Sequence, residues 1–230
     1  MKPYNLENRV KRYKGVVRMG RSKKLPYILS DKEQNDFLKI FNSRYPTQER
    51  NKAMVKLMLD TGLRLSEVIN LKWNNVDFNA ESIDVKEGKG GKDRVVWFGQ
   101  TTKDILANWK KRQNKELNKK EAENKNNLVF TSLTGNKLNQ RNVRRMIYKY
   151  ADKAGIQDTI KRVDSEGNEY VERKVTPHTL RHTFATDTYR KSKNLLAVKK
   201  ALGHSDISTT QIYTHLVDDE LEEIMKGLRE

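Results

Sequence analysis

Hydrophobic periodicity begins only after Pro26, behind a polar and basic opening stretch. Ser30 followed by Glu33 has the spacing at which a hydroxyl and a carboxylate satisfy free amides at a helix start, which predicts a helix over 31–43. Pro46 suits the first turn of a second helix. Met54, Leu57 and Met58 share one face of it, and Gly62 ends it. A short third helix starts close to Arg64, marked by Val68, Ile69 and Leu71. From 81 the period changes to two. Ile83 and Val85 alternate with Ser82, Asp84 and Lys86, residues 87–92 turn the chain, and Val95 to Phe98 return it as a β-hairpin with a glycine-rich tip. Residues 101–119 read as an exposed helix ending in an Asn- and Lys-rich surface loop over 113–127. A short strand at 128–130 follows. A helix over 139–154 places Val143, Met146, Ile147 and Tyr150 on one face, and 156–175 reads as irregular, with a turn at Gly167 and Asn168 between short extended pieces. Thr176 and Pro177 are an N-cap and a first helical residue. Gly203, Ser205 and Asp206 break the chain before a last helix from about Ser208.

This pattern describes an α+β chain, mainly helical, with a small antiparallel sheet. Residues 1–25 read as a basic arm or linker, 26–230 as one domain, and 216–230 as an acidic closing helix. The chain of 230 residues is long enough for one well-buried core and contains no cysteine, so disulfides and thiolate metal sites are excluded. No run of about 18 apolar residues and no leader pattern is present, so an unexported, cytoplasmic protein with no membrane span is expected.

Charge sharpens the picture. The net charge is +17, which points to a polyanion as partner. It is also segregated. Residues 1–25 carry nine Lys or Arg against Glu7, and 137–149 carries Lys137, Arg141, Arg144, Arg145 and Lys149 with no acid. The stretch 216–230 reverses the sign, with Asp218, Asp219, Glu220, Glu222, Glu223 and Glu230 against Lys226 and Arg229. A uniform lysine bias would not produce such segregation. The basic helix over 139–154 either lies along DNA phosphates or is solvated, and the first reading is favoured.

The candidate chemistry gathers in 176–215. His178 and Arg181 are three apart on one helix and face a cleft or solvent, while Leu180 and Phe184 turn toward a core. His204 and Tyr213 are nine apart, so on one straight helix they would point to opposite faces; the break at 203–206 allows Tyr213 to turn back. Two imidazoles, a guanidinium and a phenol suggest chemistry on a phosphate. Upstream, Glu67 lies three residues after Arg64, which makes either an aimed guanidinium or an ordinary exposed ion pair. Lys89 and Lys92 project from the hairpin tip, either as functional cations or as a solvated turn. His178 and His182 have an i, i+4 spacing that a metal could use, but no general-base glutamate or further carboxylate ligand follows and Arg181 would repel a cation. Neither a metal site nor a cofactor site is expected.

Taken together, TGLRLSE around Arg64, GKGGK with Lys89, HTLRH with His178 and Arg181, LGHSDISTT with His204, and IYTH with Tyr213 resemble the motifs of the tyrosine recombinase, or phage integrase, family. They occur in the family's order across about 26–220, and all six catalytic positions match. The resemblance implies the family's catalytic domain and a site-specific recombinase that forms a 3′-phosphotyrosyl intermediate without metal or ATP. Arg64 and Arg181 would clamp the phosphate, Tyr213 would be the nucleophile, and Lys89 the acid for the leaving 5′ oxygen. His178 is the implied base and His204 a phosphate partner, a division that the sequence leaves open. The implied partner is double-stranded DNA with specific recombination sites, bound by a homotetramer assembled from free monomers at the nucleoid, with the acidic helix docked on a neighbouring subunit or packed on its own domain. Residues 1–25 leave no room for the family's helical core-binding domain, so an excised catalytic domain or a short member is expected. Related chemistry in type IB topoisomerases and telomere resolvases, or a silent DNA-binding regulator, are the competing readings.

Overall fold

The structure, a computed structural model, describes residues 26–86, 93–163 and 167–203. The arm over 1–25, the hairpin tip with Lys89 and Lys92, and His204, Tyr213 and the acidic stretch over 216–230 lie outside the described residues.

Helix α1 (Asp31–Lys39) opens with the capping box expected at Ser30 and Glu33. It stops short of residue 43 because Ile40 closes it and the Asn42 side chain accepts the Arg44 N–H at 3.0 Å, a side-chain turn that competes with further helix. Helix α2 (Pro46–Thr61) is central, with Ala53, Met54, Val55, Leu57 and Met58 fully buried, so its apolar surface extends beyond one face. Gly62 ends it in the left-handed region at φ +62, its N–H returning to Met58 O at 3.0 Å. A β-carbon here would also run into the Phe184 ring, so this position admits only glycine without strain. Helix α3 (Leu65–Asn70) follows at once, with Arg64 as its N-cap residue.

A three-residue 3₁₀ turn (Trp73–Asn75) leads into β1 (Val76–Asp77), β2 (Ser82–Val85) and β3 (Arg94–Trp97), an antiparallel sheet in that spatial order. Ile83 pairs with Val96 and both are buried. Val95 and Trp97 alternate outward.

Helix α4 (Gln100–Lys119) is not the exposed helix that its charge suggests. Leu106, Trp109, Gln113 and Leu117 form a buried seam along it, and the helix continues through the first half of the expected loop. Its two polar seam residues are paired. Trp109 Nε1 donates to Val129 O at 2.7 Å, and Gln113 accepts from Trp73 Nε1 at 2.8 Å while donating to Thr131 Oγ1 at 2.9 Å. These bonds hold 128–130 against the core, where the expected strand is instead an isolated bridge between Lys72 and Leu128 followed by a bend at 129–130.

Helix α5 (Gln140–Lys153) buries Val143, Ile147 and Ala151 and is capped by Asn139. The short extended pieces expected in the otherwise irregular segment form a longer, regular antiparallel hairpin, β4 (Thr159–Val163) paired with β5 (Glu169–Arg173). Its strands are largely exposed, so neither core face imposes the alternation that marks a half-buried strand in sequence. Helix α6 (Pro177–Ser192) begins with the expected Thr176 cap and packs on α2, and α7 (Leu195–Leu202) packs on α6 and on β3. Gly203 ends α7 at φ +67, where the break was expected. The main core spans Leu29 to Leu180, and Ala185, Val198 and Leu202 form a smaller cluster with Ile28, Phe184 and Tyr189. The chain is thus α+β and mainly helical, as its periodicity indicated.

Candidate functional site

Arg64 stands at the start of α3 because Gly62 turns the chain sharply out of α2. Three residues on, Glu67 accepts the Arg64 main-chain N–H at 2.7 Å and Arg64 Nη1 at 2.9 Å. One carboxylate therefore caps the helix and aims the guanidinium, and the Arg64 and Glu67 side chains are 38% and 11% exposed, so this is not an ordinary surface ion pair. A second arginine completes it. Arg94 on β3 donates to both carboxylate oxygens of Glu67, Nη1 to Oε1 at 3.0 Å and Nη2 to Oε2 at 2.8 Å, while its Nε donates to Ala201 O at 3.0 Å. Burial alone would raise the Glu67 carboxyl. The Arg94 hydrogen bonds and charge, then those of Arg64, outweigh it and hold the group below its usual range.

Arg94 does not stand out in the sequence because it precedes the apolar run Val95 to Phe98 and reads as part of the basic turn. A signal was present. In β3 the inward positions are 94 and 96, with Phe98 continuing that side just beyond the strand, and a charge at an inward position requires a buried partner.

Arg181 differs from expectation. It does not face open solvent but is 7% exposed, with Nη1 donating to Gly62 O at 2.6 Å and Nη2 to Leu202 O at 2.7 Å. The reason is the left-handed turn at Gly62, which directs a carbonyl at α6, together with the end of α7, whose last carbonyls lack helical partners. Both arginines thus attach to the end of α7, at consecutive carbonyls, immediately before Gly203 and His204.

His178, in the first turn of α6, keeps an exposed edge on an open cleft of about 660 Å³ also lined by Tyr27, Ile160, Arg173, Lys174 and His182. Partial burial, then the charges of Arg181, Arg144 and Arg64, push its imidazole below the ordinary value, so it is held neutral at pH 7. His182, one turn on, is pushed down to about 4 by burial and by His178 and Arg181.

The fold therefore brings Arg64, Glu67, His178 and Arg181 into one electrostatic neighbourhood, with Arg144 of α5 at its edge. Arg141, Arg145 and Lys149 stand exposed along the same helix as Arg144. Lys89, Lys92, His204 and Tyr213 lie outside the described residues, but both arms of the hairpin bearing the two lysines, and Gly203 just before His204, border the Arg94 cluster. Chemically, two fixed guanidiniums beside a neutral imidazole suit an anion that must lose or gain a proton at neutral pH.

Comparison with known proteins bears on the family and the fold. The family model for the phage integrase family matches residues 28–220. A tyrosine recombinase XerC of Histophilus somni is 34% identical over 202 residues, which are 88% of this chain and 61% of that protein. The chain thus spans about three fifths of the curated relatives it matches. Among solved structures, XerA recombinase superposes with a TM-score of 0.71 at 32% identity over 90% of this chain and 66% of that one. XerH site-specific recombinase, bound to a palindromic difH substrate in a post-cleavage complex, gives 0.69 at 27% identity over 92% and 56%. In both solved recombinases, the corresponding part is folded in the same way.

The depressed His182 imidazole sets a pH dependence. The unfolded chain takes up this proton near 6.5 and the folded chain only near 4, so the stability it contributes is full above pH 6.5 and drains as the pH falls through about 4. Glu67 acts with the same sign, but only below 4.5. Between pH 6.5 and 4.5, His182→Gln is expected to flatten the loss of folding free energy by about 2 kcal/mol in urea titrations, and an unchanged slope would contradict a buried neutral imidazole.

Proposed function

The chain belongs to the phage integrase family, and on that premise we propose that residues 26–230 form the catalytic domain of a site-specific DNA recombinase of the integrase and Xer kind. It cleaves and rejoins strands through a 3′-phosphotyrosyl intermediate without metal or ATP. The observation that carries this reading is the pair of guanidiniums held in place beside a neutral His178, Arg64 by Glu67 and Arg181 by two main-chain carbonyls.

A phosphodiester resists cleavage because negative charge grows on the non-bridging oxygens and the leaving alkoxide is poor. Arginines fixed in advance oppose the first difficulty at little reorganisation cost. Arg64 and Arg181 are assigned to those oxygens; a guanidinium carries five N–H donors, so anchoring and phosphate contact are compatible. Tyr213 Oη attacks phosphorus, and its proton passes to His178, whose depressed imidazole is unprotonated and able to accept it. His204 contributes a hydrogen bond to the phosphate. The bond from phosphorus to O5′ breaks, and Lys89 supplies the proton that O5′ takes. A 5′ hydroxyl of another strand then attacks the phosphotyrosine, returns the phenol and seals the exchanged strand.

The partner is double-stranded DNA carrying recombination sites, which agrees with the XerH complex. Arg141, Arg144, Arg145, Lys149 and Lys92 meet its phosphates and the basic arm over 1–25 extends that grip. On DNA, four copies assemble from free monomers, and the acidic 216–230 docks on a neighbouring copy. No helix among the described residues is long and apolar enough to cross a membrane, and the protein acts at the nucleoid in the cytoplasm.

The test is a nicked suicide DNA substrate of a cognate site. A covalent protein–DNA adduct should form undiminished in EDTA and disappear in Tyr213→Phe; an adduct that survives the substitution sinks the nucleophile, and loss in EDTA sinks the metal-free reaction. Lys89→Ala should slow cleavage of the normal 5′ oxygen by about 10²-fold or more and regain most of the rate on a 5′-phosphorothiolate, whose sulfur leaves unprotonated. Without that regain, Lys89 is not the acid.

A further inference from the structure

We propose that Arg94 is a positioning residue of the strand-cleavage reaction, acting through Glu67 on Arg64 and through the end of α7 on the segment that carries His204. The inference rests on the recombinase reading above.

Three observations converge on it. Arg94 is 7% exposed at its side chain, so its contacts with the described residues are inside the molecule and hardly screened. Its Nη1 and Nη2 take both oxygens of Glu67 in a bidentate fork, at 3.0 and 2.8 Å, while the same carboxylate takes Arg64 through one side-chain and one main-chain donor. A carboxylate held by a fork cannot rotate without breaking two charge-assisted bonds, so the orientation of the Arg64 guanidinium is inherited from Arg94. The third contact runs the other way, from Nε to Ala201 O at 3.0 Å. The next carbonyl, Leu202 O, is held by Arg181. A β-carbon at Gly203 would stand 3.0 Å from Arg94 Cδ and 3.1 Å from Nη1, so the main chain immediately before His204 lies directly on this side chain. Arg94 is also the first residue of β3, the strand that returns from the tip bearing Lys89.

One planar group therefore sets three things together: the fork of Arg64, the root of the hairpin, and the exit of α7. A lysine here would keep the charge but present a point donor on a flexible stem, and would lose the geometry. A contribution to folding alone would require none of this alignment with the catalytic groups.

The experiment separates alignment from stability by changing the DNA. In a scissile methylphosphonate a methyl group replaces one non-bridging oxygen, so less negative charge develops for arginines to oppose. Cleavage rates of wild type, Arg94→Ala, Arg94→Lys and Arg64→Ala are measured on suicide substrates with the normal phosphate and with the methylphosphonate, at saturating protein and with the folded fraction fixed by circular dichroism. On the normal phosphate, Arg94→Ala and Arg94→Lys are expected to cleave about 10- to 100-fold slower than wild type, with the deficit shrinking at least severalfold on the methylphosphonate, as for Arg64→Ala. An equal deficit on both substrates, a rate unchanged from wild type, or failure of both variants to fold overturns the positioning role. Failure of the wider recombinase reading looks different, because wild type itself would then give no Tyr213-dependent adduct on either DNA.

Discussion

Glu67 is a carboxylate in a nearly closed position, and the chain around it is arranged to keep it ionised there. An unpaired buried carboxylate would cost several kcal/mol and would escape the cost by taking up a proton. Here two guanidiniums and the Arg64 main-chain N–H compensate, and their effect exceeds that of burial. Because the compensating groups come from α3 and β3, the ion cluster joins the helical part of the fold to the sheet. Remove the carboxylate charge, and Arg94 and Arg64, close together, would repel each other across the place it occupied.

The same logic extends to Arg181. A buried guanidinium needs acceptors, and the fold supplies them as main-chain carbonyls freed by two helix ends, Gly62 after α2 and Leu202 in the last turn of α7. Gly62 is indispensable to this. Its left-handed conformation ends α2, its missing side chain admits Phe184, and its carbonyl faces Arg181. Concentrating cations has an electrostatic consequence that serves the proposed chemistry, since the positive charges around His178 favour its neutral form and so leave a base available at neutral pH. An arriving phosphate would reverse that field and favour the protonated imidazole, which assists uptake of a proton during attack.

How much of this was legible in the chain depended on whether a feature was local. The capping box at Ser30, the glycine end of α2, the pairing of Arg64 with Glu67 and the start of α6 at Thr176 are all set within a few residues, and each appears where spacing placed it. The burial of α4 was misread because Leu106, Trp109, Gln113 and Leu117 are separated by lysines and asparagines, and Gln113 becomes a core residue only through acceptors and donors at Trp73 and Thr131. The β4–β5 hairpin had no buried face to announce it. Arg94 and the burial of Arg181 depend on contacts across 27 and 119 residues of sequence, which no local pattern encodes. The motifs thus supplied the groups to which the proposed chemistry is assigned, while the groups that hold Arg64 and Arg181 became visible only in three dimensions.

The Arg64 cation is oriented through Glu67 before any phosphate arrives. A double-mutant cycle on adduct formation, comparing wild type, Glu67→Gln, Arg64→Ala and the double variant, tests it most directly, because glutamine keeps the shape of the side chain and loses the charge. If Glu67 works through Arg64, the Arg64→Ala penalty is smaller in the Glu67→Gln background by about 1.4 kcal/mol or more, a factor of roughly ten in rate. Strictly additive penalties would mean that the two residues serve the reaction independently and that Glu67 does not orient Arg64.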